Sequence, residues 1–227
     1  MYQLAHRGYS DCFPENTIIA FRYALEKDYD GIETDIQQTK DGKLVLLHDY
    51  KINRTSNGKG YLKDYNYSDL RQYDFHGKFK IKATIPTLEE LLMLIKESGK
   101  IANLEIKENV LNLTVEKTVE MVKTFDVLEQ IYFSSTSLEQ MLLIKKLLPD
   151  SYCALISDYD YPWYKQMIVK YHLNGIHARY TDLTRDEIRY FKEHNIMVGA
   201  WTIKNQKDFD YFKEQDIMFI FTNRYFK

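Results

Sequence analysis

Apolar residues recur along this chain in two rhythms, a period of two over five to eight residues and a period near 3.6 over ten or more, and from Pro86 the two take turns. Thr87, with Glu90 three positions on, forms a capping box that opens a helix through Glu97. Strands are predicted at Ile101 to Lys107, Ile131 to Ser135, Tyr152 to Ser157, Gly175 to Tyr180, Met197 to Ile203 and Ile217 to Asn223. Helices fall between them at about Asn112 to Phe125, Ser137 to Leu148, Pro162 to Tyr171, Arg185 to His194 and Gln206 to Gln215. Upstream, the short strand Tyr2 to Ala5 runs through a loop into a helix marked by Ile18, Phe21 and Leu25, and a further strand begins at Gly31.

Strands alternating with helices of this length predict a parallel α/β sheet with right-handed crossovers. Strands that precede or close such units number eight, with Lys43 to Leu47 set aside as an accessory hairpin strand, and eight matches a closed barrel. The last strand ends too close to Lys227 for an eighth full helix, so the final flank is expected to be uncovered. The polar stretch 50–85 exceeds an ordinary strand-to-helix connection and is read as an insertion over the active face of a single domain spanning 1–227.

Within this frame, the stretch from Gly31 to Asp49 concentrates the chemistry. Side chains of a strand alternate between faces, so Glu33 and Asp35 share one face while Ile32, Thr34 and Ile36 share the other. A turn at Asp41-Gly42 then leads into the accessory strand, which delivers His48. The strand Ile101 to Lys107 repeats the arrangement, with Asn103, Glu105 and Lys107 opposite Ala102, Leu104 and Ile106. In a parallel barrel both faces are buried, and inward carboxylates are costly unless a cation meets them. Three carboxylates without a thiolate suit a hard divalent ion such as Mg²⁺ or Ca²⁺. His6 and Arg7 follow the first strand, in the kind of loop where parallel α/β folds bind ligands.

Composition narrows the setting. A net charge of -2 gives no electrostatic argument for nucleic acid or anionic membrane, and no run approaches the roughly 20 apolar residues of a membrane span. Cys12 and Cys153 are too few for a disulfide framework and are expected to be free thiols. With His6 already in a candidate site there is no room for a signal peptide, so a cytoplasmic protein is expected, although a piece of a longer membrane protein would read the same.

The segments His6-Arg7-Gly8, Pro14-Glu15-Asn16-Thr17, Gly31-Ile32-Glu33-Thr34-Asp35, Asp41-Gly42, His48-Asp49, Arg54-Thr55, Asn57-Gly58, Pro86 to Glu90, Asn103 to Lys107, Phe133-Ser134-Ser135 and Trp201-Thr202 run through the whole chain. In that order they resemble the glycerophosphodiester phosphodiesterase family. The resemblance implies a TIM-type (β/α)8 barrel, a divalent metal, and hydrolysis of small glycerophosphodiesters to glycerol 3-phosphate and an alcohol. It further implies Glu33, Asp35 and Glu105 as metal ligands, His6 and His48 as the acid/base pair, Arg7 and Lys107 as phosphate contacts, and Trp201 beside the glycerol. Alternatives stand beside these roles: the histidines as metal ligands, Arg7 as a partner of Glu15, Lys107 as a solvated strand end, Trp201 as a core residue.

The final strand departs from the family pattern Asp-Gly-x-x-Thr-Asp, reading Met218-Phe219-Ile220-Phe221-Thr222-Asn223, and the change is expected to touch packing rather than chemistry. His172, His177 and His194 are read as structural or surface residues, and His76 as a loop residue. Two other readings compete with hydrolysis of small diesters: a lysophospholipase D-type activity using an aromatic groove at Tyr159 to Tyr164, and a noncatalytic phosphate-binding barrel.

Overall fold

The computed structural model describes residues 1–107, 112–157 and 161–227. Among these residues nine strands form: β1 (Tyr2–His6), β2 (Gly31–Gln38), β3 (Leu44–Leu46), β4 (Ile101–Ile106), β5 (Ile131–Ser135), β6 (Tyr152–Ser157), β7 (Gly175–Arg179), β8 (Met197–Ile203) and β9 (Phe219–Thr222). All but β3 are parallel to their neighbours, and they run β1-β2-β4-β5-β6-β7-β8-β9 and back to β1, a closed eight-stranded barrel. Closure leaves no strand edge within the ring. The ring is flanked by α1 (Ile18–Glu26), α3 (Leu88–Ser98), α4 (Asn112–Phe125), α5 (Leu138–Leu147), α6 (Tyr161–Lys170), α7 (Arg185–Glu193) and α8 (Gln206–Glu214), while the short α2 (Tyr67–Leu70) lies in the polar stretch. No helix follows β9 among the described residues.

The period-two pattern sorts each strand between two cores. Ile32, Ile36, Ala102, Leu104 and Ile106 are buried outward in the large cluster beneath the helices. Leu4, Tyr152, Ala154, Phe219 and Phe221 fill the barrel interior instead. Two glycines make that interior packing fit. A Cβ at Gly175 would collide with the Tyr152 hydroxyl, and one at Gly199 would lie 2.6 Å from His177 Cδ2.

Helix starts follow capping chemistry. Thr87, Ser137 and Thr184 each accept a hydrogen bond from the backbone N–H three residues on, and Glu90 returns the bond to Thr87. Ser137 is thus a cap ahead of α5 rather than its first residue, and β9 is shorter than the apolar run that announces it.

The hairpin strand β3 pairs antiparallel with β2 at Ile36 to Gln38, beyond the point where β1 stops pairing at Glu33. It therefore extends β2 past the rim, and His48 follows at the carboxyl end of the barrel. Ile52, Leu62, Leu70, Phe75 and Ile85 pack with Val45 and Leu47 of this hairpin into a separate small core. Cys12 and Cys153 are both free, and no helix among the described residues is long and apolar enough to cross a membrane.

Candidate active site

The carboxylates come together because of register. His6 lies beside Glu33 across the β1–β2 ladder, Glu33 beside Asn103, and Asp35 beside Glu105 across the β2–β4 ladder. One oxygen from each of Glu33, Asp35 and Glu105 lies within 4.8 Å of the others. Burial, reinforced by the charges of Asp35 and Glu105, pushes the Glu33 carboxyl well above its ordinary value, and burial beside Asp35 raises Glu105. Burial works against the Asp35 charge too, but Lys107 and Arg7 outweigh it and hold that carboxyl below its ordinary range.

Lys107 is the cation already among them: Nζ donates to Glu105 Oε1 at 2.6 Å and reaches Asp35 Oδ1 at 3.4 Å. It is not a solvated strand end. Three carboxylates crowded enough to resist ionising together, two of them buried and one half-buried, fit a hard divalent ion.

β1 ends in a tight left-handed turn, Arg7 at φ 57° and Gly8 at φ 78°. A Cβ at Gly8 would sit 2.8 Å from the Ala20 backbone, so α1 can approach only a glycine here. The turn aims the Arg7 backbone N–H at Glu33 Oε2, 3.0 Å away. Its guanidinium donates to Glu15 Oε1 at 3.0 Å, and its Nε lies 3.5 Å from Asp35 Oδ2. Glu15 is thus a partner of Arg7, as one alternative holds, without removing Arg7 from the cluster. Asn16 completes the wall, donating to Asp35 Oδ2 at 2.8 Å while accepting from Thr34 Oγ1 at 2.7 Å.

The two histidines are held differently. His6 Nδ1 is 2.8 Å from Asn223 Oδ1, an oxygen that only accepts, so Nδ1 carries the proton and Nε2 is left 3.9 Å from Glu33 Oε2. Burial and then the Arg7 charge push its pKa down to about 3. His48 Nδ1 faces a carboxylate, Asp49 Oδ1 at 2.7 Å. Arg54 grips Asp49 at 2.7 and 2.9 Å and Glu15 at 2.7 and 2.8 Å. A continuous chain of hydrogen bonds thereby links His48 to Arg7. Burial favours a neutral Asp49, but the bonds from Arg54 and His48 prevail and bring it to about 2.

A cavity of about 340 Å³ opens among these groups, lined by His6, Arg7, Glu33, His48, Glu105, Lys107 and Trp201. Seven of the eight candidate residues named from the sequence line it, and Asp35 joins through the oxygen cluster. His177, read as structural or surface, lines it as well; it is 2% exposed, and burial lowers its pKa to about 3. Of the aromatic groove, Tyr159 lies outside the described residues and Trp163 is exposed on α6.

Residues 6–226 match the glycerophosphoryl diester phosphodiesterase family. The chain belongs to this family. It is 32% identical over 218 residues, 91% of its length, to a glycerophosphodiester phosphodiesterase of Caldanaerobacter subterraneus, of which it covers 87%. It is 40% identical over 159 residues, 67% of its length, to one of Bacillus altitudinis, of which it covers 65%. The barrel superposes with a TM-score of 0.85 and 24% identity on an Oleispira antarctica phosphodiesterase in complex with the product sn-glycerol-3-phosphate, covering 98% of this chain and 93% of that one. At 16% identity, a Silicibacter pomeroyi structure still gives a TM-score of 0.88, covering 99% of this chain and 90% of the other.

In this member of the phosphodiesterase family, the altered closing motif touches a candidate site residue as well as the packing. The Asn at its last position is the residue that orients His6, across 217 positions of sequence. Asp49, Arg54 and Glu15 also gain a structural assignment that their motifs alone did not supply.

Proposed function

We propose that this protein is a metal-dependent phosphodiesterase that hydrolyses glycerophosphodiesters to glycerol 3-phosphate and an alcohol. The observation that carries the reading is the meeting of three carboxylates, two of them fully buried, two separately oriented histidines, Arg7 and Lys107 around one cavity at the carboxyl end of the barrel. Glu33, Asp35 and Glu105 would hold the divalent cation, Mg²⁺ or Ca²⁺. When bound, it supplies positive charge beside the phosphate oxygens, where a phosphodiester most needs it.

The chain's own groups do the rest. Arg7 and Lys107 bind the phosphate and meet the charge that builds as the attacking oxygen approaches phosphorus. Lys107 must exchange part of its present bonding to Glu105 for the substrate. One proton must leave the attacking oxygen and another must reach the departing alcohol. His6 and His48 do these two jobs, each with Nδ1 engaged by a fixed partner and Nε2 available for transfer. Trp201, on the cavity wall, packs against the glycerol. The stretch 50–85 acts as an insertion over the active face, fixing Arg54 against Glu15 and Asp49.

Release of glycerol 3-phosphate from a panel of glycerophosphodiesters, before and after chelation and with Mg²⁺, Ca²⁺ or Zn²⁺ restored singly, tests substrate and ion together. Turnover is expected to stop with chelator and return with Mg²⁺ or Ca²⁺. Recovery with Zn²⁺ alone would favour histidine ligation, and turnover that ignores chelation would overturn the metal reading.

A further inference from the structure

Arg54 stands in the polar stretch outside the barrel strands, and its guanidinium grips two carboxylates at once. Nε and Nη2 donate to Asp49 Oδ2 and Oδ1 at 2.7 and 2.9 Å. Nη1 and Nη2 donate to Glu15 Oε2 and Oε1 at 2.7 and 2.8 Å. Asp49 in turn holds His48 Nδ1 at 2.7 Å, and Glu15 accepts from Arg7 at 3.0 Å. One planar group therefore stands between a candidate proton carrier and a candidate phosphate contact. Among the described residues, the Asp49 carboxylate has no hydrogen-bond partner besides His48 and Arg54, and the Glu15 carboxylate none besides Arg7 and Arg54. Losing Arg54 releases both.

The network is built for orientation more than for stability. The Arg54 side chain is 47% exposed, and ion pairs so open to water contribute little to folding. Two bidentate grips nevertheless fix both carboxylates in the plane of one fork. The turn that carries the fork is stiff as well. Ser56 donates to the Ile52 carbonyl through its N–H at 3.0 Å and its Oγ at 2.7 Å, and Ile52 is buried in the small core of the polar stretch. Next to it, Asn53 Oδ1 accepts from the Gly60 N–H at 2.9 Å.

We propose that Arg54 is a positioning residue for the reaction, fixing the His48 ring through Asp49 and the Arg7 guanidinium through Glu15. The proposal rests on the phosphodiesterase reading above. Proton transfer and phosphate binding are thereby aligned by one group that touches neither substrate nor metal. Lysine cannot take its place, because a single ammonium lacks the fork that spans two carboxylates.

The test measures kcat and KM for a glycerophosphodiester that the parent hydrolyses, each variant being assayed well below its own unfolding midpoint. Asp49→Asn should act mainly on kcat, Glu15→Gln mainly on KM, and Arg54→Ala on both. A misplacement of about 1 Å can cost about 10²-fold, so kcat/KM should fall by about that factor in Arg54→Ala, and Arg54→Lys should recover little of it. In the Asp49→Asn/Glu15→Gln background, where the fork has lost both charged partners, adding Arg54→Ala should cost less than about threefold. Values of kcat and KM within about threefold of the parent in Arg54→Ala, or an equal cost in both backgrounds, would overturn the proposal. Should no glycerophosphodiester be hydrolysed, the phosphodiesterase reading fails by itself, and proton NMR of the His48 Nδ1–H, assigned by its absence in His48→Ala, still decides the role of Arg54. A signal seen in the parent and lost to water exchange in Arg54→Ala supports positioning; its absence from the parent, or its persistence in Arg54→Ala, overturns it.

Discussion

His6 and His48 line one cavity with opposite kinds of support. His6 ends a barrel strand, is half-buried, and leans on a neutral amide, Asn223. His48 follows a rim hairpin, is about one-third exposed, and leans on a carboxylate that is itself tied through Arg54 and Glu15 to Arg7. A carboxylate behind an imidazole favours its charged form, whereas an amide fixes orientation without favouring charge. The two imidazoles thus differ in what orients them, a neutral amide for His6 and a carboxylate for His48.

The strongest way to break the comparison is to remove each ring. His6→Ala and His48→Ala are each expected to lower kcat by about 10²–10⁴-fold under saturating divalent ion, and steady-state assays within a few fold of the parent would refute the assigned roles. Next comes the charge behind His48. Asp49→Asn keeps the shape and removes a charged hydrogen bond worth about 1.5–3 kcal/mol, so kcat should fall roughly 10- to 100-fold with a smaller change in KM. An unchanged kcat would mean that Asp49 serves only to seat Arg54.

The reciprocal exchange, Asn223→Asp, restores the acid of the family pattern behind His6. A carboxylate there raises the affinity of His6 for a proton above its present pKa of about 3, so the acid limb of the pH–rate profile should move to higher pH. A profile that overlays that of the parent would show that the partner's charge does not reach the reaction.

How much of this was legible depended on the range of the interaction. The Glu33/Asp35 and Asn103/Glu105 pairs were readable because strand periodicity is local, and barrel closure followed from counting strands. The Asn223–His6 contact was not. It spans the junction of the first and last strands, and nothing near Asn223 in sequence marks it. That His177, read as structural or surface, is the structural kind and also borders the cavity was not legible for a related reason: its room inside the barrel depends on Gly199, in the next strand, lacking a side chain. Asp49 was recognisable as a motif member, yet its grip on His48 became visible only with the ring geometry.

His177 sharpens the comparison from a third position, since its nearest polar partner is the Tyr152 hydroxyl at 3.4 Å. Burial depresses its folded pKa to about 3, so between the unfolded value of about 6.5 and that point the unfolded chain binds the extra proton. The contribution is complete above pH 6.5 and is lost as pH falls, by at most about 1.4 kcal/mol per pH unit. His177→Leu should flatten the pH dependence of the urea midpoint over that range, and an undiminished slope would locate the titration elsewhere.

The carboxylate cluster remains the centre on which both histidines converge. Crystals grown with Mn²⁺ in place of the native ion and measured for anomalous scattering examine it directly. A peak within about 2.5 Å of one oxygen from each of Glu33, Asp35 and Glu105 is the predicted result. A peak held instead by His6 and His48, or none in the barrel mouth at saturating Mn²⁺, would contradict it.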